Sequence, residues 1–299
     1  MTTPLQARIA DSLARPTAPQ VRRFASHLAS EANALAVLFY GSNLRTGHLD
    51  GVLDFYVLLP GKAEQGIWPR VSYHEWTDDG LELRAKVATM SMAKFTEAAS
   101  GALIDTTIWA RFVQPAALVW QQGDAAGQAV EDALAAAAAT AARLAAVLGP
   151  ESGHADEYWT ALFQATYRAE FRVERAGREQ SILALNEAHF DGLLTLAWDQ
   201  AGIAFKQEGD RLAPLIRTPE RNRVKRWWSK RRRLGKPLNL IRLLRATSTF
   251  EGAARYAAWK VQRHTGMKIE LTPWRERHPV LAAPGVLWSL WRTRHANRS

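Results

Sequence analysis

Residues 35–59 read LAVLFYGSNLRTGHLDGVLDFYVLL, two short apolar runs joined by a polar loop that contains glycine. The first run ends at Gly41-Ser42, and the second, from Val52 to Leu59, is interrupted only by Asp54. Short apolar runs bounded by turn residues predict buried strands. The sequence therefore predicts two neighbouring strands of a central sheet, with Asp54 on the second strand opposite the turn that ends the first.

The rest of the chain predicts an α+β fold. Leu81 to Met90 alternates well enough for a third strand, a helix is expected from Met92 to Ser100, and Ala116 to Trp120 is a further candidate strand. The pattern is helical before the first strand and again after Gly123, and the predicted helical stretches are 5–31 (interrupted near Pro16 and Pro19), 125–148, 155–176, 179–201 and 238–265.

Charge divides the chain unevenly. From Arg217 onward there are 21 Lys and Arg against 4 Glu, a net charge of +17, so the preceding residues carry −7 within the total of +10. We expect three parts: a domain with a mixed sheet over 1–123, a mainly helical domain over 124–216, and a basic, Trp-rich helical region over 217–299. A winged helix is one candidate form of the second domain. Such a basic region indicates an anionic partner.

Several site classes are excluded by composition and spacing. The chain has no cysteine, which excludes disulfides, zinc–thiolate sites and thiol catalysis. His48, His74, His154 and His278 are not spaced as zinc ligands. The first residues, Met1 to Pro4, lack a secretory signal pattern. We therefore expect a cytoplasmic protein that meets a membrane only at its inner face.

The residues around the first two strands suit phosphate chemistry. Gly41 allows close approach of the backbone to a triphosphate, and Ser42 supplies a hydroxyl and backbone N–H groups at the start of a helix. Asp54 is suited to hold Mg²⁺ against phosphate oxygens. A strand ending in Gly-Ser, followed by a strand that carries an acid, resembles the polymerase-β-like nucleotidyltransferases.

A more specific resemblance rests on several short motifs in order. The chain resembles the mitochondrial-type phosphatidate cytidylyltransferases, also called translocator-maintenance proteins, over about residues 35–200. The matching motifs are Tyr40-Gly41-Ser42, Asp54-Phe55, Lys86 within Leu83-Arg84-Ala85-Lys86-Val87, Tyr167-Arg168-Ala169-Glu170-Phe171-Arg172, and Asn186-Glu187-Ala188-His189-Phe190.

This resemblance implies an activity and a set of site residues. It implies transfer of CMP from CTP to phosphatidic acid, with Mg²⁺ as cofactor and release of pyrophosphate. Asp54 and Glu170 would hold the metal, and with Lys86 they would form the catalytic set. The implied nucleotide-binding residues are Tyr40, Gly41, Ser42, Lys86, Arg172, Asn186 and His189.

A water-insoluble acceptor requires contact with a membrane. Paired tryptophans within a cluster of basic residues suit an anionic lipid surface. The candidate membrane contacts are Arg226, Trp227, Trp228, Arg231, Arg232 and Arg233. We expect residues 217–299 to hold the enzyme on the bilayer without building the active site, and we favour a membrane over nucleic acid as the anionic partner.

Tyr56 leaves alternatives open. Most nucleotidyltransferases of this type carry a second acid two residues after the first, and here that position is Tyr56. Either another acid completes the site or the site is inactive. The alternatives are a nucleotidyltransferase with another acceptor, such as tRNA or a small molecule, and a non-catalytic protein that binds RNA or membranes on a degenerate fold.

Overall fold

The computed structural model describes residues 2–66, 69–169, 178–249, 252–265 and 271–277. Its strands are β1 (Ala36–Tyr40), β2 (Leu53–Leu59), β3 (Arg70–Asp78), β4 (Leu81–Ser91), β5 (Ala116–Gln121), β6 (Phe205–Glu208) and β7 (Arg211–Pro214). Its helices are α1 (Pro4–Leu13), α2 (Pro19–Ala32), α3 (Ser42–Thr46), α4 (Met92–Ala99), α5 (Thr107–Phe112), α6 (Asp124–Leu148), α7 (Ala155–Ala169), α8 (Arg178–Leu185), α9 (Glu187–Phe190), α10 (Leu193–Gln200), α11 (Thr218–Thr249), α12 (Ala253–Thr265) and α13 (Pro273–Arg277).

A mixed five-stranded sheet organises the first part of the chain. Its strand order is β3-β4-β2-β1-β5. The β2–β4 pair is parallel, and the other three pairs are antiparallel. The prediction of an α+β fold with a mixed sheet is therefore confirmed.

Helices cover both faces of the sheet. On one face, α2 packs Phe24 and Leu28 against a cluster that includes Phe39 and Phe55. On the other face, α1 and the helices α4 to α11 build a larger cluster with Leu38, Tyr56 and Leu58 at its base. Because both faces of β1 and β2 are buried, both strands are almost continuously apolar.

The larger buried cluster runs without a break from Leu5 on α1 to Trp228 on α11. The alanine-rich α6 lies at its centre, where small side chains let α4, α5, α7, α10 and α11 pack closely around it. The predicted boundaries at 123/124 and 216/217 coincide with the starts of α6 and α11, yet packing is continuous across both of them.

Several predicted elements need correction. The strand β3 and the β6–β7 hairpin were not expected. The predicted helix 179–201 is three helices, separated at Asn186 and at Asp191-Gly192. The helix predicted from residue 238 begins instead at Thr218, because α11 is 32 residues long and continues through Pro237. The predicted end of the 155–176 helix lies outside the described residues.

Among the described helices, none combines the length and the hydropathy that crossing a bilayer requires.

Candidate functional site

Three predicted site residues lie side by side on one face of the sheet. Asp54 is directly opposite Tyr40 in the β1–β2 pair and directly opposite Lys86 in the β2–β4 pair. Residues that are directly opposite each other in a sheet project to the same face. Strand register therefore brings a phenol, a carboxylate and an ammonium group together, and this cluster is the candidate site.

The turn after β1 places its backbone against the carboxylate. Gly41 has φ of 91°, a conformation that is strained for residues with a side chain. A Cβ atom at Gly41 would lie 3.0 Å from Oδ2 of Asp54. Glycine is therefore required here for two reasons. The turn needs a positive φ, and a side chain would fill the space that the Asp54 carboxylate faces.

Ser42 begins α3 immediately after this turn, and it is exposed. The following residue, Asn43, donates hydrogen bonds from Nδ2 to the carbonyl oxygens of His48 (2.9 Å) and Asp50 (3.0 Å). These bonds tie the loop between β1 and β2 to itself. The exposed Ser42 hydroxyl therefore lies on an ordered loop beside the candidate site.

Burial perturbs both charged members of the cluster. It raises the pKa of Asp54, and the positive charges of Lys86 and Arg111 partly oppose that shift. It also lowers the pKa of Lys86, which the Asp54 carboxylate partly restores and which the charges of Arg111 and Lys260 lower further. One carboxylate thus lies in the field of two cations, Lys86 and Arg111, and a third cation, Lys260, acts on Lys86. This surplus of positive charge favours a ligand with several negative charges.

Arg111 belongs to the site, although its sequence context did not reveal it. It lies on α5 and donates a hydrogen bond from Nη1 to the Tyr40 hydroxyl oxygen at 2.8 Å. Its guanidinium carbon is 5.0 Å from the centroid of the Tyr40 ring. Burial raises the pKa of Tyr40, so the phenol stays protonated. A lone arginine in the apolar stretch TIWARF (107–112) was the available signal.

Tyr56 explains why β2 carries a single acid. Its side chain is 2% exposed, and its ring lies 5.2 Å from the Phe112 ring and 6.2 Å from the Phe95 ring. A carboxylate in this aromatic cluster would be buried without a charged partner, at a large cost in free energy. The position at which the resemblance to nucleotidyltransferases leads one to expect a second acid is therefore part of the hydrophobic core.

The described residues offer one metal ligand at the site. No group of three or more His, Asp or Glu side chains in the described ranges is arranged to hold a metal ion. The predicted Glu170 and Arg172 lie outside those ranges. Asp54 still fits Mg²⁺, which is often bound through one or two carboxylates together with substrate phosphates and water. Its Oδ2 faces the space that a side chain at position 41 would fill.

The predicted nucleotide contacts Asn186 and His189 have other partners. Nδ2 of Asn186 donates to the Ile182 carbonyl oxygen at 2.7 Å, at the end of α8. The His189 ring lies with Nε2 2.9 Å from the Val113 carbonyl oxygen and Nδ1 3.3 Å from Oγ of Ser12. Burial lowers the pKa of His189 to about 4, so its ring is neutral near pH 7. Both side chains stabilise local structure, and nothing in the described residues places them at Asp54.

Two of the six predicted membrane contacts lie in the protein interior. Trp228 is 5% exposed and Arg231 is 4% exposed. Trp227 is half-buried and donates a hydrogen bond from Nε1 to the Gly101 carbonyl oxygen at 3.1 Å. The expectation of an exposed tryptophan pair is therefore wrong, because both rings pack against Trp109 on α5.

Arg231 is buried because it satisfies carbonyl groups just beyond the end of α4. Its Nη2 donates to the carbonyl oxygens of Gly101 and Leu103 at 2.5 and 2.6 Å, and its guanidinium carbon is 3.9 Å from the Trp227 ring centroid. Burial lowers its pKa to about 10. Within the predicted membrane set, Arg226, Arg232 and Arg233 are the exposed cations.

No protein-family model and no curated protein matches this chain. The interpretation of the site therefore rests on its geometry and on the sequence motifs. The structure brings together Tyr40, Gly41, Ser42, Asp54 and Lys86 and adds Arg111 to them.

Proposed function

We propose that the protein is a nucleotidyltransferase that moves CMP from CTP to phosphatidic acid and releases pyrophosphate. The observation that carries the proposal is the position of Asp54, next to Lys86 and against the Gly41 turn, within a surplus of positive charge. On this proposal the sheet is of the nucleotidyltransferase type, and the β6–β7 hairpin is the wing of a winged-helix unit.

Each residue of the cluster has a role in binding the triphosphate. Gly41 permits close approach of the phosphates to the backbone, and Ser42 supplies a hydroxyl beside them. Lys86 and Arg111 neutralise phosphate charge, and Arg111 also fixes the Tyr40 hydroxyl. Asp54 would hold Mg²⁺, which when bound offsets the negative charge that develops on the phosphates. Positioning and charge neutralisation provide most of the catalysis in such reactions.

The chemistry does not require a strong general base. The acceptor is already an anion, so a phosphate oxygen of phosphatidic acid attacks the α-phosphorus of CTP directly. A new phosphorus–oxygen bond forms there as the bond from the α-phosphorus to the bridging oxygen breaks, and pyrophosphate leaves with that oxygen. This balance agrees with a site that contains cations and one carboxylate but, in the described residues, no His beside Asp54.

The acceptor is supported by the motif resemblance and by the exposed cations of α11. Arg226, Arg232 and Arg233 are exposed on that helix. Each basic residue near an anionic membrane contributes about 1 kcal/mol to association, an effect that salt weakens. We therefore propose peripheral binding to the inner face of a membrane through these arginines, without the buried Trp228 and Arg231.

The test is pyrophosphate release from each nucleoside triphosphate, with and without vesicles that contain phosphatidic acid. We expect release from CTP, dependent on Mg²⁺ and on phosphatidic acid. Asp54→Asn should lower it about a thousandfold, and Asp199→Asn, at an exposed position, serves as the control for loss of one carboxylate. Release that requires tRNA in place of vesicles would contradict the acceptor, and failure to bind any nucleoside triphosphate would contradict the enzyme.

A further inference from the structure

Helix α12 packs against the sheet beside the candidate site. Its Tyr256 ring lies 5.5 Å from the ring of Tyr73, the β3 residue directly opposite Lys86. At the start of the helix, a Cβ atom at Gly252 would lie 2.8 Å from the Tyr73 carbonyl oxygen, so only glycine allows this approach. One end of α12 is therefore fixed on β3, next to the strand that carries Lys86.

The helix continues across β4 towards β2. The guanidinium carbon of Arg84, on β4, lies 5.8 Å from the Trp259 ring centroid, and that of Arg263 lies 5.3 Å from the same ring. Nη1 of Arg263 is 2.9 Å from the position of a Cβ atom at Gly51, two residues before β2 begins. The helix thus runs from β3 past Arg84 of β4 to the loop before β2, and Trp259 keeps Arg263 near that loop.

Two cations of α12 are available to a ligand. Lys260 and Arg263 are both exposed, and no carboxylate in the described ranges forms an ion pair with either of them. The acids nearby are engaged elsewhere, since Glu75 and Glu82 contact Arg84. Lys260 is also close enough to Lys86 for its charge to act on that ammonium group.

We propose that α12 forms a wall of the candidate site and that Lys260 and Arg263 bind phosphate oxygens of the polyphosphate held at Asp54 and Lys86. This inference rests on the proposed function, because it takes the ligand to be a nucleoside triphosphate. It differs from the expectation that residues 217–299 hold the protein on a membrane without building the active site. Lys260 and Arg263 now lie over the rings of Tyr256 and Trp259. A polyphosphate between the helix and the sheet would relieve the repulsion between Lys86 and Lys260 and give Lys260 and Arg263 an anionic partner.

The experiment measures equilibrium binding of inorganic tripolyphosphate and of CTP with Mg²⁺, without vesicles, to the full chain. Lys260→Gln and Arg263→Gln should each weaken binding about tenfold, the size expected for one lost charge-assisted hydrogen bond. Lys260→Arg should restore most of the affinity. The control is Lys225→Gln, which removes the same charge from an exposed position on α11; its affinity should equal that of the wild type.

The outcomes separate this inference from the proposed function. Equal affinity of Lys260→Gln and Lys225→Gln, in a protein that binds CTP, would overturn the role of α12 and leave the enzyme assignment intact. A tenfold loss in Lys260→Gln without any CMP transfer by the wild type would support the role of α12 and contradict the proposed activity. A wild type that binds neither probe would overturn both.

Discussion

Asp54 and Tyr56 are two residues apart on the same face of β2, yet their environments are opposite. Asp54 lies directly opposite Lys86 of β4, at the charged end of this face. Tyr56 lies beside Ala88, in an aromatic end that it forms with Phe95 and Phe112. The step of two residues along parallel strands leads from the candidate site into the core. The same alternation of side chains therefore places a charged cluster and a core cluster on one face.

The largest expected effect is on activity at the charged end. Asp54→Asn should lower the rate of CMP transfer about a thousandfold, because it removes the ligand for the metal. The free energy of unfolding should change by less than about 1.5 kcal/mol, because the raised pKa of Asp54 indicates that burial costs the ionised carboxylate more than attraction to Lys86 and Arg111 returns. Pyrophosphate release and urea unfolding measure the two quantities. Full activity in the folded variant would remove Asp54 from the site.

The aromatic end should show the reverse pattern. Tyr56→Ala should lower the free energy of unfolding by about 3–5 kcal/mol, because it leaves a cavity among Tyr40, Phe95 and Phe112. The control is Leu81→Ala on β4, where the side chain is 41% exposed and the loss should stay below about 0.5 kcal/mol. Equal losses in the two variants under urea would contradict the burial of Tyr56.

A glycine pair tests the contact between the turn and the carboxylate. Gly47→Ala should cost about 1–2 kcal/mol of stability, because Gly47 is in the left-handed helical region. Gly41→Ala should cost about 1–3 kcal/mol, because Gly41 (φ 91°, ψ −160°) is in a region that is essentially restricted to glycine. Only Gly41→Ala places a methyl group against Asp54, since nothing lies within 4 Å of the corresponding position at Gly47. Transfer from CTP should therefore fall about tenfold in Gly41→Ala and stay unchanged in Gly47→Ala. A similar loss of turnover in both would show that turn strain alone is responsible.

The smallest effect concerns His189, which contacts the Val113 carbonyl behind the aromatic end. Its pKa of about 4 lies below the ordinary value of 6.5, so the unfolded chain takes up this proton first as pH falls. Its contribution to stability is therefore present above pH 6.5 and is lost between about 6.5 and 4. His189→Gln keeps a donor of similar reach but does not titrate. Urea unfolding near pH 7 and pH 4.5 should show a smaller loss in the variant, and equal losses would exclude this role.

The sequence predicted those elements whose signal is local. Sequence analysis identified β1 and β2 because strands that are buried on both faces are continuously apolar. It identified α6 because a helix that packs closely against several others is rich in alanine. The edge strand β3, with its half-exposed His74 and exposed Glu75, has no such run. The strands of the β6–β7 hairpin have only four residues each, too few to show a clear alternation of apolar and polar residues.

The candidate site was predictable only where its residues share a sheet. Tyr40, Asp54 and Lys86 come from neighbouring strands, and the motif spacing pointed to all three. Arg111 and Lys260 come from helices whose packing against the sheet is decided by distant contacts, such as that between Tyr256 and Tyr73. The basic run of α11 was taken for an exposed surface because nothing local shows that Arg231 meets carbonyl groups 130 residues earlier in the chain.

That distance between Arg231 and Gly101 has a consequence for biosynthesis. The first strands and α5 leave the ribosome well before α11, and at about 5–20 residues per second the delay across 130 residues is roughly 6–26 s. During this interval Trp109 has no α11 tryptophan to cover it, and the carbonyl groups beyond α4 have no guanidinium partner. Until α11 has been made, the nascent chain therefore exposes apolar side chains of an incompletely closed core. This is the stage at which a chaperone would protect it most.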